Sequence, residues 1–155
     1  MARFRYSMQS ILDIKLKMET QEKQGFSAAR SALDVEEERL EVLCDRKKDY
    51  EEEATRLRMG VLDRLELETN RTAILRMENY IEDQKEQVAV AERNLEAARE
   101  RLTQVMKERK IHETLREKAF GIFLVEENRR EGKEVDELTS YTYGKRSKEE
   151  AGSRA

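Results

Sequence analysis

No proline interrupts the 155 residues. At an average usage of about 5% a chain of this length would carry roughly eight. Each would cost about 3 kcal/mol inside a helix, because proline lacks the amide donor and its ring clashes with the preceding turn. Their absence favours long unbroken helices over strands and loops. Glycine is nearly as sparse, and Gly60 is the single glycine between Gly25 and Gly121. A chain so built has one easy place to reverse, near its middle.

Apolar residues recur with heptad spacing on both sides of that point. The first series is Phe26, Ala29, Leu33, Leu40, Leu43, Tyr50, Ala54, Leu57 and Val61, broken at Glu36 and Lys47. The second is Leu67, Ile74, Met77, Ile81, Val88, Ala91, Leu95, Ala98, Leu102 and Val105, broken at Asn70 and Gln84. A sustained seven-residue recurrence is the pattern of helices that wind around each other with a left-handed supercoil. The expected fold is all-α, a long antiparallel two-helix coiled-coil hairpin with a disordered C-terminal tail. Helix 1 is placed at about 4–58, the turn at about 59–71 and helix 2 at about 72–131, in one domain over about 1–135. The polar segment 136–155, short of apolar residues, is expected to be disordered.

A turn at 59–71 sets Leu57 against Ile74, Tyr50 against Ile81, Leu43 against Val88, Leu40 against Ala91 and Phe26 against Val105. Lys47 then meets Gln84, so that two polar breaks share one layer and help to fix the register. The hairpin core is expected to be Leu33, Leu40, Leu43, Tyr50, Leu57, Ile74, Ile81, Val88, Leu95 and Leu102. Phe4, Ile11 and Met18 are out of phase with Phe26, and the second stripe turns from Val105 toward Ile111, Leu115, Ile122 and Val125. Both observations predict a local change of winding near Gly25.

Charge separates along the hairpin. Residues 34–53 hold ten acids and four bases, whereas residues 1–18 hold four bases and one acid and residues 107–118 five bases and three acids. The open end is thus basic and the shaft acidic, an arrangement that draws the basic end to an acidic surface. Apolar residues left over after pairing collect at the same end, among them Phe4, Tyr6, Met8, Ile11, Leu12, Phe120, Ile122, Phe123 and Leu124. They are the candidate partner contacts.

Short strings that invite an enzymatic reading fail on their chemistry. His112-Glu113-Thr114-Leu115-Arg116 opens like the HExxH zinc helix, but Arg116 occupies the second ligand position and is a permanent cation. Gly144-Lys145-Arg146-Ser147 resembles the end of a phosphate loop, yet Thr139 stands where the first glycine belongs. Asn70-Arg71-Thr72 is a glycosylation triplet, and Asn70 is expected to cap helix 2 or to sit in the turn. Cys44 lies among Asp45 and Asp49, without the positive surroundings that activate a thiol. No apolar run reaches the roughly 18 residues of a membrane span, and the basic N-terminus lacks the apolar stretch and cleavage site of a secretory signal. Bases interspersed with acids and a net charge of −3 speak against nucleic acid. No catalytic residue, metal or cofactor is expected, and the chain is read as cytoplasmic and non-enzymatic.

Two segments carry a resemblance. Phe4-Arg5-Tyr6-Ser7-Met8-Gln9-Ser10-Ile11-Leu12-Asp13-Ile14-Lys15 resembles the start of the FliJ family, coiled-coil proteins of the bacterial flagellar export apparatus. Glu108-Arg109-Lys110-Ile111-His112-Glu113-Thr114-Leu115-Arg116-Glu117-Lys118 resembles a later run of the same family, as do Asp136-Glu137 before a polar tail. The resemblance implies a stalk-like coupling rod of type III secretion that binds and stimulates the hexameric export ATPase (FliI). It further implies contact with the cytoplasmic domain of the export gate protein (FlhA) and escort of export chaperones, at the cytoplasmic face of the flagellar base. Any membrane association would be peripheral, through the export apparatus. The ATPase-binding tip would comprise Phe4, Met8, Ile11, Leu12, Arg109, Leu115, Ile122 and Phe123. The gate contact would comprise Tyr80, Gln84, Gln87 and Ala91, with Gln84 where an apolar residue is expected. The competing readings are a prefoldin-like general chaperone, which needs strands at the turn, and a cytoskeletal tether built from parallel dimers.

Overall fold

The computed structural model describes residues 2–154. Helix α1 spans Gln9–Leu57 and helix α2 spans Arg64–Ser153, and no strand occurs among the described residues. The chain divides into two compact units: unit 1 combines the residues up to Leu16 with those from Lys107 onward, and unit 2 is Lys17–Met106.

Unit 2 is the hairpin. Leaving α1, the amide of Met59 donates to the carbonyl of Arg56 at 3.1 Å, and Gly60 takes φ +84°, a left-handed conformation that costs a residue with a Cβ about 1–2 kcal/mol. Asp63 then starts α2. Its Oδ1 accepts the amides of Leu65 at 2.9 Å and Glu66 at 3.4 Å, satisfying two of the donors that a helix start leaves orphaned. The turn therefore closes within 58–63 instead of 59–71, and helix 2 begins at Arg64 instead of near 72. Met59, Val61, Leu62 and Leu65 stand exposed around it.

An earlier start for α2 changes which residues face one another. The side-chain amide of Asn70 donates to the carbonyl of Tyr50 at 2.9 Å, and that of Gln84 to the carbonyl of Glu36 at 2.9 Å and to its Oε2 at 2.5 Å. Asn70 is therefore neither cap nor turn but a buried helical residue tied to the opposite strand of the hairpin. With Asn70 opposite Tyr50, Ile81 lies eleven residues farther along, about 16 Å at 1.5 Å per residue. The expected pairing of Tyr50 with Ile81, and with it the whole set from Leu57–Ile74 to Phe26–Val105, is corrected by that shift. Two polar breaks do share a layer, but they are Gln84 and Glu36, while Lys47 lies 3.7 Å from Glu78 and from Glu51.

Burial in unit 2 follows the heptads. Leu33, Leu40, Leu43, Tyr50, Leu57, Ile74, Val88, Leu95 and Leu102 are half-buried, and Ile81, Ala91, Ala98 and Val105 are buried. Two helices enclose few large side chains, so each half-covered Leu contributes only roughly 1 kcal/mol, and stability accumulates from many layers. The phase does not slip near Gly25. Glu19, buried, and Glu22, half-buried, continue the interior positions back from Phe26 and Ala29, with Glu22 3.5 Å from Arg101 and Glu19 3.3 Å from Lys23. The stripe was lost to sequence reading because acids occupy it. An intramolecular hairpin also sets aside the parallel-dimer tether.

The Gln84–Glu36 layer makes a direct prediction. Gln84→Leu alone strands the Glu36 carboxylate and carbonyl and should lower stability by about 1–2 kcal/mol. Gln84→Leu combined with Glu36→Leu should return the thermal midpoint to the parent value or above. Strictly additive losses in that double-mutant cycle, followed by far-ultraviolet circular dichroism, would exclude the layer.

In unit 1, α2 does not end near 131 but continues to Ser153 through a segment expected to be disordered. Extending a helix that is already nucleated adds one hydrogen bond per residue without a new nucleus, and no proline stops it. Thr142 donates back to the carbonyl of Leu138 at 2.8 Å, and Arg130 pairs with Glu127 at 3.3 Å. Residues 128–154 are all exposed.

Candidate functional site

Unit 1 is assembled from the start of the chain and the returning α2. Residues 2–6 are not helical, and the amide of Gln9 donates to the carbonyl of Tyr6 at 3.1 Å as α1 begins, so helix 1 starts at Gln9 and not near residue 4. Phe4 is thereby free to reach α2. Its ring lies 5.1 Å from that of Phe120 in an edge-to-face arrangement and 5.3 Å from that of Phe123. The Arg116 guanidinium sits 5.8 Å over the Phe4 ring and donates through Nε to Gln9 Oε1 at 3.0 Å. Aromatic pairs of this kind contribute about 0.5–1.5 kcal/mol each beyond their buried area, and a cation over a ring about 0.5–1 at an exposed site.

The remaining interior is unusually polar. Leu12 is 4% exposed. Around the α1–α2 seam, Lys15 pairs with Glu108 at 2.7 Å and Arg109 with Glu113 at 2.7 Å, all four partly covered. The Tyr6 hydroxyl and His112 Nδ1 are buried without a hydrogen-bond partner among the described residues. Apolar side chains stand outside instead: Ile14, Ile111, Leu115, Ile122, Leu124 and Val125 are exposed on the two helices. The seam runs along Arg109, His112, Ala119 and Phe123 rather than along Ile111, Leu115, Ile122 and Val125.

The eight residues of the expected tip thus fall into two groups. Phe4, Leu12, Arg109 and Phe123 belong to the covered part of unit 1: Phe4 and Phe123 through the ring cluster, Leu12 by burial, and Arg109 half-buried and paired with Glu113 one turn along the same helix. Met8, Ile11, Leu115 and Ile122 are exposed. Of the gate residues, Tyr80 and Gln87 are exposed, but Ala91 is buried and Gln84 is turned inward to Glu36, so neither of the latter two can meet a partner. Gln84 and Ala91 are removed from that assignment because the interior heptad positions of α2 pass through them.

Sequence reading finds the basic charge of residues 107–118 but does not single out Ile14 and Ile111 as exposed beside it. Lys107, Lys110 and Lys118 line, together with Ile111, Thr114 and Leu115, an open cleft of about 530 Å³ on α2. The signal is present in the spacing Ile111, Leu115, Ile122, Val125, of which only Leu115 and Ile122 are expected at the tip. Cys44 is exposed and unpaired. No group of three His, Cys, Asp or Glu residues suited to a metal occurs among the described residues, and none of their helices is long and apolar enough to cross a membrane.

Comparison with known proteins places this arrangement. In the solved structures, a YscO homolog from Chlamydia trachomatis superposes with a TM-score of 0.74 over 91% of this chain and 96% of its own, at 22% sequence identity, a likeness of fold. No curated protein matches. The family model described as Flagellar FliJ protein matches residues 4–148, nearly the whole chain. This chain therefore belongs to the flagellar FliJ protein family, as a component of flagellar (type III) protein export.

Proposed function

We propose that the chain is a non-enzymatic, stalk-like coupling element that binds and stimulates the hexameric export ATPase (FliI) through unit 1. The observation that carries this reading is the mixed polarity of unit 1: Lys15, Glu108, Arg109 and Glu113 take covered positions beside Leu12 and the phenylalanine cluster, while Met8, Ile11, Leu115 and Ile122 are left to solvent. Exposed apolar residues in a basic setting fit an acidic, partly apolar lining, with electrostatics steering the encounter and apolar burial holding the complex. Stimulation would arise by altering contacts between ATPase subunits, with no group of this chain entering the nucleotide chemistry.

The gate protein (FlhA) contact is proposed at Tyr80 and Gln87, seven residues apart on α2 and both exposed. Export chaperones are further proposed partners, and the site of action is the cytoplasmic face of the flagellar base, with membrane association only through the apparatus. A prefoldin-like chaperone would require strands between the helices, and residues 58–63 form a short turn.

The test is the ATPase rate of the hexamer with and without this protein. Leu115→Asp combined with Ile122→Asp should bring the rate down to that of the ATPase alone, with helical circular dichroism unchanged because both side chains lie outside the seam. Full stimulation by that variant would remove the assignment.

A further inference from the structure

Ile111, Leu115, Ile122 and Val125 are 59%, 43%, 62% and 68% exposed. Their spacing puts them on one stripe of α2, and fourteen residues at 1.5 Å per residue make that stripe about 21 Å long. Single exposed apolar residues need no explanation, but a continuous stripe marks a surface that something covers. One flank is cationic: Lys107, Lys110 and Lys118 border the cleft over Ile111 and Leu115, and none of the three has an ion-pair partner among the described residues. Of the acids in the same turns, Glu108 and Glu113 are engaged by Lys15 and Arg109, which leaves three lysines against Glu117 alone and a net positive border for a partner to meet.

We infer that the stripe from Ile111 to Val125 is a docking groove for one amphipathic α-helix whose apolar face is bordered by Asp or Glu. The inference rests on the reading of unit 1 as the partner-binding end, and it names the chemistry that this end accepts. The occupant is a helix because a straight stripe four turns long matches the i, i+4, i+7 anchors of another helix. An extended strand laid there would find no backbone partners, since α2 already uses its own. It is acidic because lysines flanking an apolar floor favour carboxylates beside the partner's apolar face and repel a basic helix of the same shape.

The probe is a pair of fluorescent synthetic 18-residue amphipathic peptides with the same leucine stripe, one flanked by Glu and one by Lys, titrated by anisotropy against the full chain. The chain should bind the Glu peptide at least about tenfold more tightly than the Lys peptide, and the difference should shrink as salt is raised. Lys107→Glu, Lys110→Glu and Lys118→Glu together should reverse the preference, while Ile122→Ser should weaken both peptides without altering helicity. Equal binding of the two peptides, no binding of either, or a preference untouched by the triple change would overturn the proposal. ATPase stimulation with neither peptide bound would sink the groove and spare the coupling reading. The stated peptide preference without ATPase stimulation would do the reverse.

Discussion

Ala98→Glu should lower the stability of the hairpin by about 3–5 kcal/mol. Ala98 is 1% exposed, the most thoroughly covered side chain of the interior. A carboxylate there has to be desolvated, and its extra atoms have to displace neighbours in a seam that already closes over a methyl group. For a chain of this length that corresponds to a fall in the thermal midpoint of roughly 10 °C or more. Ala98→Ser, which adds a single hydroxyl, should cost far less, about 1 kcal/mol. Thermal melts followed at 222 nm check both, and a midpoint for Ala98→Glu within a few degrees of the parent would show that the position is not closed.

The reason Ala98 is covered is legible in the sequence: it recurs seven residues after Ala91 and seven before Val105, and all three are buried. What the same reading misjudged was where the recurrence begins and ends. Asp63-Arg64-Leu65-Glu66 has the spacing of a capping box, an acceptor followed three residues later by Glu, which marks a helix start at Arg64. Weighing Gly60 without that box put the turn too late. A turn error propagates along both arms, because moving the point of reversal changes every cross-pair while leaving every heptad position unchanged. Burial was therefore readable where register was not.

Polar residues at interior positions account for the other differences. Glu19, Glu22, Lys15 and Arg109 occupy seam positions that a hydrophobic pattern cannot recognise, and the apolar residues one step away, Ile14, Ile111 and Leu115, imitate a stripe. Two-helix seams tolerate this because long charged side chains cover the seam with their methylene stems and keep their charged ends paired at its margin, as in Lys15–Glu108 and Arg101–Glu22. The apparent slip of phase is the boundary between a face that zips the hairpin and an apolar face left exposed. Helical continuation to Ser153 was hidden for a different reason: composition reports whether a segment can bury a core, and an unpacked helix grown from a packed one has no core to report.

The distinction between inner and outer residues of unit 1 can be tested by Leu12→Asp. Leu12 is 4% exposed and Leu115 43%. A carboxylate at position 12 would be desolvated in a seam whose bases, Lys15 and Arg109, are already paired with Glu108 and Glu113, and should cost about 3 kcal/mol or more of local stability. Hydrogen exchange should report the loss within unit 1, with faster exchange at residues 9–16 and 107–125. Residues 81–98 should keep their protection, because Ile81, Ala91 and Ala98 are buried by contacts of unit 2 itself. Loss of protection throughout, or nowhere, would contradict a separately held interior. Stimulation of the ATPase should fall as well, but indirectly, since the ring cluster of Phe4, Phe120 and Phe123 and the exposed residues beside it depend on α1 remaining seated. Leu12→Met conserves volume and apolarity, so it should restore both protection and stimulation. Leu115→Asp should lose stimulation with protection intact, so that a contact residue and a residue that holds contact residues in place are told apart by the same pair of measurements.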